Sequence, residues 1–194
     1  MRMASVVIWA AAALAGLPAA AGPVRAPAYA ASAAADVKPL TPAQRLERRF
    51  LQISAANLHF QAEGSRLVLA RSGNPAVKDL ANSLLARQQA AQPELLWLLH
   101  ARGMALPLAT GPHVKVLKQL GKLNGAKLDR LYVEEVVLKS YQADIANYER
   151  MALEAQDPAL KAWAERQLPA LRLNFAKGGR ALPNAPPARP QRAV

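Results

Sequence analysis

The chain has 194 residues, 52% of them hydrophobic, which suits one well-packed domain and gives no sign of a second. It contains no cysteine, which excludes disulfides and the lipid-bearing cysteine of a lipoprotein. Its net charge of +12 favours anionic partners such as phospholipid head groups or cell-wall polymers, although basic residues spread singly over every helix are also typical of a solvated surface. We find no nucleic-acid motif and no interleaved aromatic residues, so no nucleic acid is expected as a partner.

The N-terminus has the three-part pattern of a secretory signal peptide. Arg2 precedes an apolar run from Val6 to Leu17, and small residues follow it. The run is short for a membrane span, so we predict a signal peptide over residues 1–21, cleaved after Ala21. Cleavage after Ala30 and an uncleaved anchor are the alternatives. The pattern predicts a periplasmic or secreted protein that is not an integral membrane protein after processing.

Two segments flank the predicted helical domain. Residues 22–40 are rich in Ala and Pro with few large apolar side chains, and they predict a disordered leader because they cannot bury enough surface to offset their ordering entropy. Residues 182–194 contain several prolines and two arginines, which predicts an extended, disordered tail. The domain is therefore predicted to span residues 41–181.

The first two predicted helices have clear boundaries. Thr41 and Pro42 form a cap and first-turn pair that opens the first helix, and residues 72–73 end it. Asn74 and Pro75 open the second helix, which ends near Gly103. Because the link between these two helices is so short, we predict that they pack side by side in antiparallel directions. The apolar seam of the second helix has a polar residue, Gln88, in its gap; the seam comprises Val77, Leu80, Leu84, Ala91, Leu95 and Leu98.

Three further helices are predicted. A short crossing helix spans residues 112–123, and a long helix over residues 126–155 carries a stripe of Leu131, Leu138, Tyr141, Ile145 and Tyr148. Asp157 and Pro158 open the last helix, and Gly178 with Gly179 is predicted to end it. No run alternates with the period of a strand. The pattern predicts an all-α fold.

Four short motifs, in order, resemble the domain-of-unknown-function family 4142, whose members are exported, ferritin-like bacterial proteins. They are NPAVK at the start of the second helix, LDRLY at the head of the fourth, DPALKAWA at the start of the fifth, and LPAL within the fifth. The resemblance covers roughly residues 50–181. It implies an antiparallel, ferritin-like four-helix bundle with a short additional helix between the second and third long helices.

The resemblance also implies an interior site, because family members place acids and histidines on all four long helices. When the chain is aligned by these motifs, Gln61 stands at the position where family members have a glutamate, and Arg87 and Gln88 stand at the positions of an Asp-His pair. Ser140 and Asn174 stand at the positions of two histidines. Neutral amides and a hydroxyl are poor ligands for Fe, Mn or Zn. We therefore expect no metal or other cofactor, and an interior polar ring of Gln61, Gln88, Ser140 and Asn174 that hydrogen-bond to one another.

Other candidates for chemistry are weak. His59 and Glu63 are four residues apart and could offer two metal ligands from one helical face, although a surface hydrogen-bonded pair is the more ordinary reading. No catalytic triad, phosphate-binding loop or paired-carboxylate motif stands out, so we predict no catalytic residues and favour a non-enzymatic role.

Three hypotheses for function follow. The first is a non-enzymatic envelope binding or stress-related protein with a degenerate metal-type site. The second is a metal-binding or redox-stress ferritin-like protein whose ligands are not identified. The third is adhesion to anionic envelope components through charge, which predicts an affinity that falls steeply with salt.

Overall fold

A computed structural model of the protein describes residues 39–181, and every regular element in this range is helical. The predicted signal peptide, residues 22–38 of the predicted leader and the predicted tail at 182–194 lie outside the described residues. The elements in chain order are α1 (Pro42–Arg71), α2 (Pro75–His100), α3 (Gly111–Leu120), α4 (Gly125–Leu131), a π-helical segment (Tyr132–Lys139), α5 (Ser140–Glu154) and α6 (Pro158–Ala181). All-α structure is thus confirmed for the described range.

Side-chain caps start the helices where the sequence predicts. Thr41 Oγ1 accepts a hydrogen bond from the backbone N–H of Gln44, and Gln44 Oε1 accepts one from the backbone N–H of Thr41. This capping box opens α1. Asn74 caps α2 in a similar way, and its oxygen accepts from two backbone N–H groups. Asp157 does the same at the start of α6. These caps satisfy backbone donors that have no partner within the helix.

The long helices pack as pairs around one core. α1 lies against α2 and α5, and α6 lies against α2 and α5, while α3 crosses α1. At one end of the core the rings of Phe50 and Tyr148 meet edge to face, with centroids 4.9 Å apart, and the fully buried Trp163 packs against both. Within residues 39–181 no helix combines the length and apolar character needed to cross a membrane.

The predicted long helix contains a π-helical segment that changes its register. Buried residues recur every four positions from Asp129 to Tyr141, because a π turn holds more residues than an α turn. The predicted stripe is therefore partly wrong: Leu131, Leu138 and Ile145 are only half-buried. Their neighbours in the π segment, such as Val136 and Val137, fill the core instead.

Two glycines let the π segment approach its neighbours closely. A Cβ atom on Gly64 of α1 would lie 3.0 Å from Val136 Cγ1, and one on Gly178 of α6 would lie 2.6 Å from Val137 Cγ1. The prediction that Gly178 and Gly179 end the last helix is wrong, since α6 continues to Ala181. Gly178 is needed for this close contact between helices and does not stop the helix.

Candidate functional site

Five polar side chains meet in the interior between α1, α2 and α5. We call Asn57, Gln61, Arg87, Ser140 and Asp144 the interior polar cluster. Asn57 and Gln61 lie one turn apart on α1, Arg87 comes from α2, and Ser140 and Asp144 lie one turn apart on α5. Gln61 and Asp144 are each only 2% exposed, and Arg87 is 7% exposed. Ser140 directly follows the π segment, so that segment sets the direction in which α5 presents both of its residues.

Direct hydrogen bonds join the interior polar cluster. Asn57 Nδ2 donates to Asp144 Oδ1 over 2.5 Å, and Gln61 Nε2 donates to Asp144 Oδ2 over 2.7 Å. Gln61 Nε2 also lies 2.9 Å from Ser140 Oγ, which in turn donates to the backbone oxygen of Val136. Arg87 Nη1 donates to Gln61 Oε1 over 3.2 Å. Both carboxylate oxygens are therefore occupied by amides, and Gln61 connects the cation to the anion.

Burial controls the electrostatics of the cluster. Desolvation raises the pKa of the Asp144 carboxyl, while the charge of Arg87 and the two amide donors oppose that rise. Burial by itself would lower the pKa of Arg87, but neighbouring Tyr141, Tyr148 and Asp144 together raise it. Burial also raises the pKa of Tyr148 to about 12, so this phenol is neutral near pH 7. Asp144 is thus the group that can balance the buried charge of Arg87.

The ring of Tyr141 lies beside the guanidinium and links the cluster to α6. The Cζ atom of Arg87 lies 5.5 Å from the ring centroid of Tyr141, within the range of a cation–π contact. Asn174 Nδ2 donates to the Tyr141 hydroxyl over a long 3.5 Å. Nearby, the Ser65 and Tyr132 hydroxyls are 2.8 Å apart, and Ser65 donates to the backbone oxygen of Gln61.

The structure brings together only part of the predicted polar ring. Gln61 and Ser140 are in contact, whereas Asn174 reaches the cluster through Tyr141. Gln88 is elsewhere: it is half-buried, and its Nε2 donates to Gln92 Oε1 on the same helix. The placement of Gln88 in the ring is therefore corrected. Adjacent residues on a helix point about 100° apart, so Gln88 turns outward when its neighbour Arg87 turns inward.

Sequence reasoning missed Asn57 and Asp144, although each is a polar residue at a position where the helical pattern calls for an apolar one. Asn57 falls in the apolar repeat of the first helix, between Ile53 and Phe60, and Asp144 lies between Tyr141 and Tyr148 on the predicted stripe. A polar residue at an apolar position of a helix needs a buried partner. The pairing could not be read from the sequence, because it depends on the register that the π segment sets.

The residues present do not fit a transition-metal site of the kind that the family resemblance implies. The interior polar cluster has one carboxylate, two amides, a hydroxyl and a cation, whereas such metals take several imidazoles or carboxylates. Across residues 39–181, no three His, Cys, Asp or Glu side chains come together in a way that could hold a metal. Of the two candidates on α1, Glu63 forms an ion pair with Arg66, and His59 is exposed.

His59 and Gln88 border a surface groove of about 240 Å³. Its walls come from α1, α2 and the segment before α3, and they are mostly leucine and alanine side chains. Beside the groove, the His113 ring stacks on Phe60 with centroids 4.3 Å apart. Partial burial lowers the pKa of His113, and nearby His59 adds to that effect. The groove is thus bordered by Gln88, which was predicted for the interior ring, and by His59, one of the two candidate metal ligands on α1.

Comparison with known proteins adds a family and a fold. The family model described as "Domain of unknown function (DUF4142)" matches residues 29–177. A crystal structure of a DUF305 fragment from Deinococcus radiodurans is similar with a TM-score of 0.64 at 18% identity, over 76% of this chain and 100% of that chain. At this identity the likeness concerns the fold alone. No curated protein matches the chain.

Proposed function

We propose that this chain, which belongs to the DUF4142 family, is an exported, non-enzymatic helical protein that binds an anionic component of the bacterial cell envelope. We also propose that its long helices form a ferritin-like, antiparallel four-helix bundle. In this proposal the interior polar cluster is a structural element that replaces a metal-type site, and binding takes place at the surface.

The observation that carries the proposal is the closed hydrogen bonding of Asp144. Both of its oxygens accept bonds from Asn57 and Gln61, and the residue is 2% exposed. A carboxylate that acts on a substrate needs contact with it, and the partners here are side chains of the same chain. The arrangement supports a role in fixing how α1, α2 and α5 pack, since a buried polar network is stable only when its members find each other.

The charge of the chain supports an anionic partner. The net charge is +12, and loss of residues 1–21 would remove only Arg2, which leaves 12 − 1 = +11. A surface of that charge concentrates near anionic lipids and polymers. The N-terminal signal pattern, which lies outside the described residues, supports export to the compartment where such partners are found.

A metal-binding or redox-stress role is the alternative, and no observation on residues 39–181 favours it. The candidates His59 and Glu63 lack a third ligand there, and Glu63 pairs with Arg66. Metal analysis of protein purified from the periplasm separates the two functions. A stoichiometric transition metal that co-purifies with the chain would overturn the non-enzymatic envelope proposal in favour of the alternative.

Export and envelope binding are tested together by fractionating bacteria that express the full chain. We expect the protein in the periplasmic fraction, and we expect isolated envelopes to bind the purified protein less tightly as salt rises. A version without residues 1–21 is the control and should stay in the cytoplasm. Failure of isolated envelopes to bind the protein at low salt would contradict the proposal.

A further inference from the structure

The segment that leads into α3 exposes two leucines. Leu108 is 91% exposed and Leu106 is 56% exposed, and they lie two and four residues before the cap residue Thr110. Other exposed apolar residues, such as Leu153 and Leu173, occur singly on the long helices. Single exposed leucines are ordinary, but two in one short connection form a local apolar projection.

A row of lysines follows on α3 and its C-terminal turn. Lys115, Lys118 and Lys122 have the spacing of one helical face, and all three are exposed. None of them takes part in an ion pair found among residues 39–181. Between Glu94 and Asp129 the sequence contains five basic residues and no acidic residue. Arg102 pairs with Asp157, whereas no ion pair found within the described residues compensates the three lysines.

The opposite face of α3 is fixed to α1. Leu120 is fully buried, and His113 stacks on Phe60 of α1. Arg71, at the end of α1, donates to the backbone oxygen of Gly121 over 2.6 Å. These contacts hold α3 on α1 with its lysine face turned outward.

The leucines and α3 lie against neighbouring parts of α1. Leu106 and Leu108 border the groove beside Leu58 and His59 of α1, and α3 lies against the next turns of the same helix, from Phe60 onward. An apolar projection next to a cationic face is the pattern of proteins that bind at a lipid interface, where leucines enter the acyl boundary and lysines meet head groups.

We propose that Leu106, Leu108, Lys115, Lys118 and Lys122, which we name the leucine–lysine patch, dock the protein on the surface of an anionic phospholipid bilayer. The inference rests on the proposed function and names its partner. Charge complementarity selects the anionic head groups, and the two leucines distinguish a bilayer from a water-soluble polyanion, which offers no apolar layer for them to enter.

Vesicle sedimentation with variants of the full chain tests the patch. The parent should bind vesicles that contain phosphatidylglycerol and should bind phosphatidylcholine vesicles far less. The triple change Lys115→Gln, Lys118→Gln and Lys122→Gln, and separately Leu106→Ser with Leu108→Ser, should each weaken binding at least about 10-fold. All variants keep the same N-terminal residues, so differences between them report on the patch.

Matched controls separate the patch from general charge and hydrophobicity. The triple change Lys78→Gln, Lys139→Gln and Lys161→Gln removes the same charge elsewhere, and Leu153→Ser with Leu173→Ser removes two other exposed leucines. These controls should weaken binding less than about 3-fold. Equal losses in control and patch variants would overturn the proposal, because binding would then follow net charge alone.

Because the chain has no cysteine, a single label reports on insertion. Leu108→Cys carrying an environment-sensitive fluorophore should shift its emission to shorter wavelength on anionic vesicles, and the same label at Leu153→Cys should not. Binding without a shift at position 108 would overturn bilayer docking. If isolated envelopes bind patch variants as well as the parent, this inference fails while the proposed function stands; if they do not bind the parent, the proposed function fails.

Discussion

Arg87 and Asp144 are a buried base and a buried acid that are linked by one side chain, the amide of Gln61. Its oxygen accepts from Arg87 and its nitrogen donates to Asp144, so one group serves both side chains. A carboxylate at position 61 could not donate to Asp144, and an apolar residue could do neither. The glutamine is therefore chemically matched to a hydrogen-bond donor on α2 and an acceptor on α5.

Replacing Gln61 with methionine should lower the free energy of unfolding by about 3 kcal/mol, because it leaves buried hydrogen-bonding groups on Arg87 and Asp144 without a partner. Urea denaturation followed by circular dichroism measures the loss. Gln88→Met is the matched control, since Gln88 is half-buried and bonds only to Gln92. It should cost less than about 0.5 kcal/mol. Similar losses in both variants would argue against the bridging role of Gln61.

The raised pKa of Asp144 predicts a pH dependence with a defined sign. At pH values just above 3.8, the ordinary pKa of an aspartate, Asp144 in the folded protein still holds a proton that the unfolded chain has released. The free energy of unfolding of the parent should therefore fall, relative to Asp144→Asn, as pH rises through this window, by up to about 1.4 kcal/mol per pH unit. Above the folded-state pKa the difference should become constant.

Denaturant unfolding of both proteins at intervals between about pH 4 and 7 measures that difference. The asparagine also changes the hydrogen bonds from Asn57 and Gln61, but that offset does not depend on pH. A parent that instead gains stability over the variant as pH rises would show that Arg87 outweighs burial and lowers the pKa of Asp144.

Alanine substitution at the two adjacent glycines of α6 should change the stability of the protein in opposite directions. At Gly178 a Cβ atom would lie 2.6 Å from Val137 Cγ1, so Gly178→Ala should destabilise the protein by about 1 to 3 kcal/mol. At Gly179 nothing lies within 4 Å, and Gly179→Ala should stabilise the helix by up to about 1 kcal/mol. Thermal unfolding of the two variants measures both signs. A gain from both changes would contradict the close contact with the π segment.

Truncating two aliphatic residues should separate the true core from the predicted stripe. Leu84 is 1% exposed, and Leu84→Ala should cost about 3 kcal/mol. Ile145 is half-buried, so Ile145→Ala should cost about 1 kcal/mol, less than the sequence pattern alone implies. Midpoints of chemical denaturation measure the difference. Equal losses would place Ile145 in the core after all.

The starts of α1, α2 and α6 were predictable because they depend on local chemistry. Thr41, Asn74 and Asp157 each precede a proline, and a cap followed by a proline can be recognised without knowledge of the rest of the fold. The buried face of α2 followed from its spacing, and Leu84 and Leu98 lie where that spacing puts them. Gly178 was misread because a helical glycine that admits a neighbour has the same sequence appearance as one that ends a helix.

The interior site was only partly predictable, because its partners come from distant parts of the chain. Gln61 and Ser140 were identified through the family alignment, but the choice between Arg87 and Gln88 depends on a rotation of one residue about the α2 axis. Sequence reasoning preferred Gln88, because it lies in the gap of the apolar seam of the second helix. Arg87 is buried instead beside Gln61 and Asp144, and the position of Asp144 depends on a π-helical register that apolar spacing does not reveal.

The π segment couples the length of this stretch to the direction of the helix that follows it. If residues 132–139 became α-helical with no change in length, α5 would turn by about 100° around its axis, whereas removal of one residue as well would return it to nearly its present orientation. In the α-helical form of full length, Ser140 and Asp144 would point away from Gln61, although every amino acid that forms the contact would still be present. A relative with a regular α-helix here therefore keeps these contacts only if it is one residue shorter in this stretch.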